Sequence, residues 1–189
     1  PLVVDGVMYL HSRSTLFALN ATTGEELWKS VLDAGDPGGS PVRGPTFVDG
    51  NIYAYRGADL YAMDAGTGNP VESFGNEGVL AVVSNALQQK YPDDYPPTLN
   101  PVSIGYRITT PPAHHAGTMY VAAALSEGHI PGGLVIATDS GTGAIKWVFN
   151  TIPQGPQDEG WEIASDTWGD GARAGGGIWT QPAIDTALG

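Results

Sequence analysis

The sequence predicts an all-β fold, a β-propeller of four-stranded antiparallel blades, from three observations. A hairpin pattern recurs three times, glycine and proline punctuate the chain heavily, and predominantly helix-forming stretches of ten or more residues are almost absent. The recurring pattern reads Leu16-Phe-Ala-Leu-Asn-Ala-Thr-Thr-Gly24-Glu-Glu-Leu-Trp28, then Leu60-Tyr-Ala-Met-Asp-Ala-Gly-Thr-Gly68, then Val135-Ile-Ala-Thr-Asp-Ser-Gly-Thr-Gly143-Ala-Ile-Lys-Trp147. A self-similar unit of this length marks a repeat architecture, and 27 Gly with 15 Pro in 189 residues favours many short strands joined by turns.

Each copy reads as an alternating strand that runs into Asn20, Asp64 or Asp139. Such a side chain can bond the backbone two residues on, and the glycine after it supplies a positive φ, so the chain returns as a second strand. Upstream stand Val4-Asp-Gly-Val-Met-Tyr9, Val48-Asp-Gly-Asn-Ile-Tyr53 and His115-Ala-Gly-Thr-Met-Tyr120, each predicting another turn and strand, hence a four-stranded meander. Trp28 and Trp147 follow the turn glycine by four residues, while the middle copy has Glu72 there with Phe74 nearby. A ring at that place fills the space between blades.

The turn glycines stand 44 and then 75 residues apart, so the second interval holds an insertion. Residues 75–107, with four prolines, read as a long loop containing one helical turn at 83–91, and residues 150–175 as a second long loop. Long loops on a rigid scaffold are where sites are built. A fourth unit begins at Ile178-Trp-Thr-Gln-Pro-Ala-Ile-Asp185. The expected organisation is one partial propeller over 1–189, about three to four blades, cut at both ends.

A composition with 41% hydrophobic residues supports a packed core. The net charge of -12, with only eight Lys and Arg, argues against nucleic acid, whose binding needs cationic contacts. The absence of cysteine excludes disulfides and thiolate metal sites, and no apolar run reaches the eighteen or so residues of a spanning helix. His114 and His115 are adjacent, so on a strand they face opposite ways and cannot chelate one ion together. Ser165-Asp166 with His11 and His129 gives no triad spacing, and Gly175-Gly-Gly177 lacks the Lys-Ser/Thr ending of a phosphate loop.

The Ala-x-Asp-x-x-Thr-Gly-x-x-x-Trp repeat resembles that of the quinoprotein dehydrogenases, whose cofactor is pyrroloquinoline quinone (PQQ). Non-enzymatic propellers such as the outer-membrane assembly lipoprotein share it, so alone it speaks for fold and not chemistry. The segments between the repeats narrow the match. Pro41-Val-Arg-Gly-Pro45 resembles the segment whose arginine contacts a PQQ carboxylate, which implies that role for Arg43; a planar guanidinium matches a carboxylate fork. Glu72-Ser-Phe-Gly-Asn-Glu-Gly78 resembles a segment of glucose dehydrogenases and their alcohol-oxidising relatives, with no chemistry assigned. Ile108-Thr-Thr-Pro-Pro112 resembles the strand that offers a threonine to the cofactor, implying Thr109. Leu125-Ser-Glu-Gly128 stands where the family has Ser or Thr and then an acid, implying Ser126 at the cofactor and Glu127 as a calcium ligand, one of the oxygen donors calcium requires; a solvated loop glutamate is the other reading. Thr167-Trp-Gly-Asp-Gly-Ala-Arg-Ala-Gly-Gly-Gly-Ile-Trp179 resembles the stretch whose last Trp is the floor under PQQ. That implies Trp179, with glycines that let the backbone lie close to a flat ligand; ordinary packing is the alternative. Ala172 departs from the family's Trp.

The resemblance implies part of an eight-bladed periplasmic alcohol dehydrogenase. Hydride passes from the alcohol carbon to PQQ, calcium polarises the quinone carbonyl, and electrons leave to an acceptor such as cytochrome c or a quinone. It places no catalytic residue in 1–189, because the family's proton-accepting Asp and an Asn ligand of calcium fall beyond Gly189. Residues 151–168 are more like the alcohol than the glucose enzymes, and the vicinal cysteines of methanol dehydrogenases are absent. The resemblance also requires Arg43, Thr109, Ser126, Glu127 and Trp179 to converge on one end of the propeller axis. The alternative is a non-catalytic propeller used as a protein-binding scaffold.

Overall fold

A computed structural model describes residues 1–32, 42–123, 130–171 and 173–188. Three four-stranded antiparallel sheets follow one another along the chain. The first blade holds β1 (Leu2–Val4), β2 (Val7–Ser12), β3 (Thr15–Asn20) and β4 (Glu26–Val31). The second holds β5 (Thr46–Val48), β6 (Asn51–Arg56), β7 (Asp59–Asp64) and β8 (Val79–Leu80). The third holds β9 (Ala113–His115), β10 (Thr118–Ala123), β11 (Leu134–Asp139) and β12 (Ile145–Asn150).

Turn chemistry sets these meanders. Asn20 Oδ1 accepts from Thr22 N and Thr23 N, Asp64 Oδ1 from Thr67 N, and Asp139 Oδ1 from Gly141 N and Thr142 N, all between 2.8 and 3.0 Å. The glycine four residues on has φ of 77°, 73° and 77° at Gly24, Gly68 and Gly143, a region open to glycine at no steric cost. The Thr67 hydroxyl and N–H hold the Asp64 carboxyl below the usual carboxylate range, and the Thr142 N–H and hydroxyl do the same for Asp139. The other hairpins turn on Asp5-Gly6, Asp49-Gly50 and Ala116-Gly117, both residues of each pair at positive φ, as tight primed turns require.

Blades meet through a contact that repeats. Tyr9 Oη and Trp28 Nε1 both donate to the Ala65 carbonyl, at 3.2 and 2.9 Å, with the two rings 6.0 Å apart. One blade later, Tyr53 Oη donates to the Ser140 carbonyl at 2.6 Å, and the buried Phe74 stands edge-on to Tyr53 where the first blade has Trp28. The Glu72–Gly78 segment is thereby given a place: Gly75 N donates to Thr142 O, stitching the second blade to the turn of the third. Being central, β6 and β7 are buried on both faces. Ile52, Ala54, Tyr61 and Met63 face the first blade, and Tyr53, Tyr55, Leu60 and Ala62 join a second cluster with the third.

The insertion differs from a loop. It first supplies β8, paired through Leu60–Leu80 and Tyr61–Val79, then α1 (Val82–Lys90) and a 3₁₀ turn at Pro101–Ile104. Burial drives α1: Val82, Val83, Ala86 and Leu87 are buried, while Lys90 sits in the last turn, where a cation suits the helix dipole. A short helix, α2 (Trp161–Ala164), lies in the second long loop.

Candidate functional site

Three of the implied site residues meet. Arg43 Nη1 donates to the Thr109 carbonyl at 2.8 Å, and Arg43 Cζ lies 5.7 Å from the Trp179 ring centroid. Their segments come from successive blades and are tied at one atom, since the Pro112 carbonyl accepts from Thr46 Oγ1 at 2.6 Å and from Gln181 Nε2 at 3.0 Å. Ser126 and Glu127 lie outside the described residues. Among the described residues no group of three His, Cys, Asp or Glu could hold a metal ion.

Behind Arg43 stands Tyr55, whose hydroxyl accepts from Arg43 N at 2.8 Å. Burial pushes that phenol up to about 12, so it stays protonated. The His11 ring meets Tyr55 edge-on at 5.2 Å, and burial pushes its imidazole down to about 4, so it is neutral at pH 7 and adds no charge behind the guanidinium.

The chemistry these groups offer is specific. Thr109 is fully buried and its Oγ1 has no hydrogen-bond partner among the described residues, an arrangement that costs free energy unless a ligand bonds it. Trp179 is 52% exposed, unusual for an indole and suited to stacking. A cation that keeps donors beyond its bond to Thr109, an orphaned hydroxyl and an open indole fit a flat, carboxylate-bearing cofactor.

The glycine run before Trp179 is held by other backbone. Gly175 N donates to Ile130 O at 2.9 Å, and Thr151 Oγ1 donates to Gly176 O while accepting from Gly133 N, both at 2.8 Å. A Cβ on Gly133 would stand 2.9 Å from Gly177 Cα. The close approach visible here is therefore between two glycine backbones.

Sequence reasoning missed a buried cluster beside the site. The Asp158 carboxylate accepts from Tyr91 Oη at 2.8 Å and from Gln154 N at 2.6 Å, and pairs with Lys90 Nζ. Asn150 Nδ2 donates to Tyr91 Oη and to Pro131 O. The cluster joins α1 to the segments that hold the glycine run. Nothing in the spacing of these residues signals it.

A sequence profile of the PQQ glucose/ethanol/alcohol dehydrogenase β-propeller domain matches residues 1–189. No curated protein matches the chain. Among solved structures, the quinohemoprotein alcohol dehydrogenase of Comamonas testosteroni superposes with a TM-score of 0.71 at 24% identity, over 100% of this chain and 27% of that one. A quinohemoprotein alcohol dehydrogenase of Pseudomonas putida gives 0.69 at 28% identity, over 100% and 26%. A europium-containing methanol dehydrogenase gives 0.57 at 23%, over 79% and 24%. The chain thus spans about a quarter of the length of these proteins.

Proposed function

The chain belongs to the PQQ glucose/ethanol/alcohol dehydrogenase β-propeller family, and on that premise we propose that it is part of a periplasmic quinoprotein that oxidises alcohols, with PQQ against Arg43, Thr109, Ser126 and Trp179 and calcium on Glu127. The observation that supports this most is the meeting of Arg43, Thr109 and Trp179, from three separated segments, through the bond of Arg43 to the Thr109 carbonyl and its approach to the Trp179 ring.

When bound, PQQ supplies a quinone carbon that accepts a hydride. The residues of this chain bind and orient. Trp179 offers its face as a stacking floor. Arg43, fixed by Thr109 O and Tyr55 Oη, keeps donors for a carboxylate. Thr109 Oγ1 offers a hydrogen bond from a buried position. The proton acceptor for the alcohol hydroxyl and the electron acceptor, a cytochrome c or a quinone, complete the reaction from outside these residues.

The test uses the full-length protein. PQQ titrated with calcium present should quench tryptophan fluorescence saturably, and the loaded protein should reduce an artificial acceptor when given a primary alcohol. Trp179→Ala should lose about 0.5–1.5 kcal/mol of stacking beyond area burial, a several-fold weaker affinity. Failure to bind PQQ even with calcium would overturn the reading in favour of a protein-binding propeller.

A further inference from the structure

A second site lies in the loop after β12, and it is carried by Arg173. The guanidinium sits over two indoles, 4.6 Å from the Trp161 centroid and 5.9 Å from that of Trp168, and its Nη1 donates to Gln154 O at 3.1 Å. In return Gln154 Nε2 approaches Arg173 O at 3.4 Å. Among the described residues no carboxylate pairs with Arg173. It lines a cavity of about 400 Å³ together with Ile152, Thr167, Trp168, Gly171 and Ala174.

We propose that this cavity binds the carboxylate of a small organic acid, held by the Arg173 fork against the Trp168 and Ile152 walls. The geometry selects that class. Gln154 takes only Nη1, and a guanidinium's other donors match a carboxylate in pairs. Stacking on two rings removes the rotamer freedom that a free arginine would lose on binding. A dianionic phosphate fits less well, because the cavity offers one cation. Its one hydroxyl, Thr167 Oγ1, already donates to Ala164 O, leaving an acceptor to face an anion. The apolar walls suit a short alkyl chain. This inference stands on residues separate from those of the PQQ reading.

The experiment titrates the full-length protein, free of PQQ, with sodium acetate, propionate and butyrate, and reads tryptophan fluorescence against sodium chloride at equal ionic strength. A chain of net charge -12 repels anions generally, so a saturable response needs a local cation. The expected result is saturation at millimolar carboxylate, tighter for butyrate than acetate and absent with chloride. Arg173→Gln should weaken binding about tenfold or more, Arg173→Lys should restore only part, and Trp168→Phe should remove most of the signal while binding persists by calorimetry. No saturable response in the wild type, as when an acid elsewhere in the full-length chain already fills the fork, overturns the proposal. An unchanged response in a folded Arg173→Gln variant does so too. Should that variant not fold, Arg173→Lys with unaltered affinity and unaltered chain-length preference does the same.

Discussion

Lys90 Nζ lies 3.0 Å from Asp158 Oδ1, with 9% and 0% of the two side chains exposed, and this pair fastens the end of α1 to the loop after β12. Removing one member of a buried pair strands the other charge, at a cost of about 3–5 kcal/mol. Because Tyr91 Oη, Gln154 N and Gly155 N still serve Asp158, Lys90→Met should fall at the lower end, about 3 kcal/mol, measured as a lower urea midpoint. A smaller loss for Lys90→Arg would attribute the effect to charge.

Asp59 makes stability pH-dependent. Burial raises its carboxyl from 3.8 to about 6, so between those values the folded chain holds a proton that the unfolded chain has lost. Its contribution is complete below about pH 4 and is lost as pH rises through 6. Each unit of difference corresponds to about 1.4 kcal/mol, reduced here by partial contact with solvent, so Asp59→Asn should gain about 1–2 kcal/mol at pH 7. Thermal midpoints should coincide near pH 4 and diverge above it.

Ala116 holds φ at 45° where the equivalent turns have Asp5 and Asp49. An L-residue in the left-handed region loses roughly 1–2 kcal/mol, which Asn or Asp partly recovers by local hydrogen bonding. Ala116→Asn should therefore stabilise the third blade by about 0.5–1 kcal/mol, seen as a higher midpoint with unchanged circular dichroism.

Gly133→Ala tests whether the glycine run positions Trp179. The added methyl meets backbone at Gly176 and Gly177, which cannot give way as a side chain can. PQQ affinity of the full-length protein should fall about tenfold or more, while Gly117→Ala, whose Cβ meets nothing, should alter only stability.

What was legible in the sequence was what short segments encode. The turns at Asn20, Asp64 and Asp139 need only five residues each, and α1 (Val82–Lys90) falls one residue ahead of the helical turn expected at 83–91. The strand Val79–Leu80 was hidden because two residues carry no periodicity and become a strand only by pairing with Leu60 and Tyr61. At the candidate site, the resemblance pointed to Arg43, Thr109 and Trp179, and the fold brings these three together. Asp158 and Lys90, 68 positions apart, were invisible because a buried charge is recognisable only once its partner is in place.

The tyrosine contact between blades has a direction. The first blade sends Tyr9 and Trp28 to the Ala65 carbonyl in the turn of the second, and the second sends Tyr53 to the Ser140 carbonyl in the turn of the third. Tyr120 and Trp147 repeat the Tyr9 and Trp28 pairing at the same 6.0 Å separation, with Trp147 43% exposed. The joint is heterologous, like the head-to-tail joints of ring-forming oligomers, which finish only where rotation brings the last unit to the first. Here covalent linkage replaces concentration as what brings successive units together. A substitution that tilted that joint would misalign neighbouring blades while leaving the hydrogen bonding within each one intact.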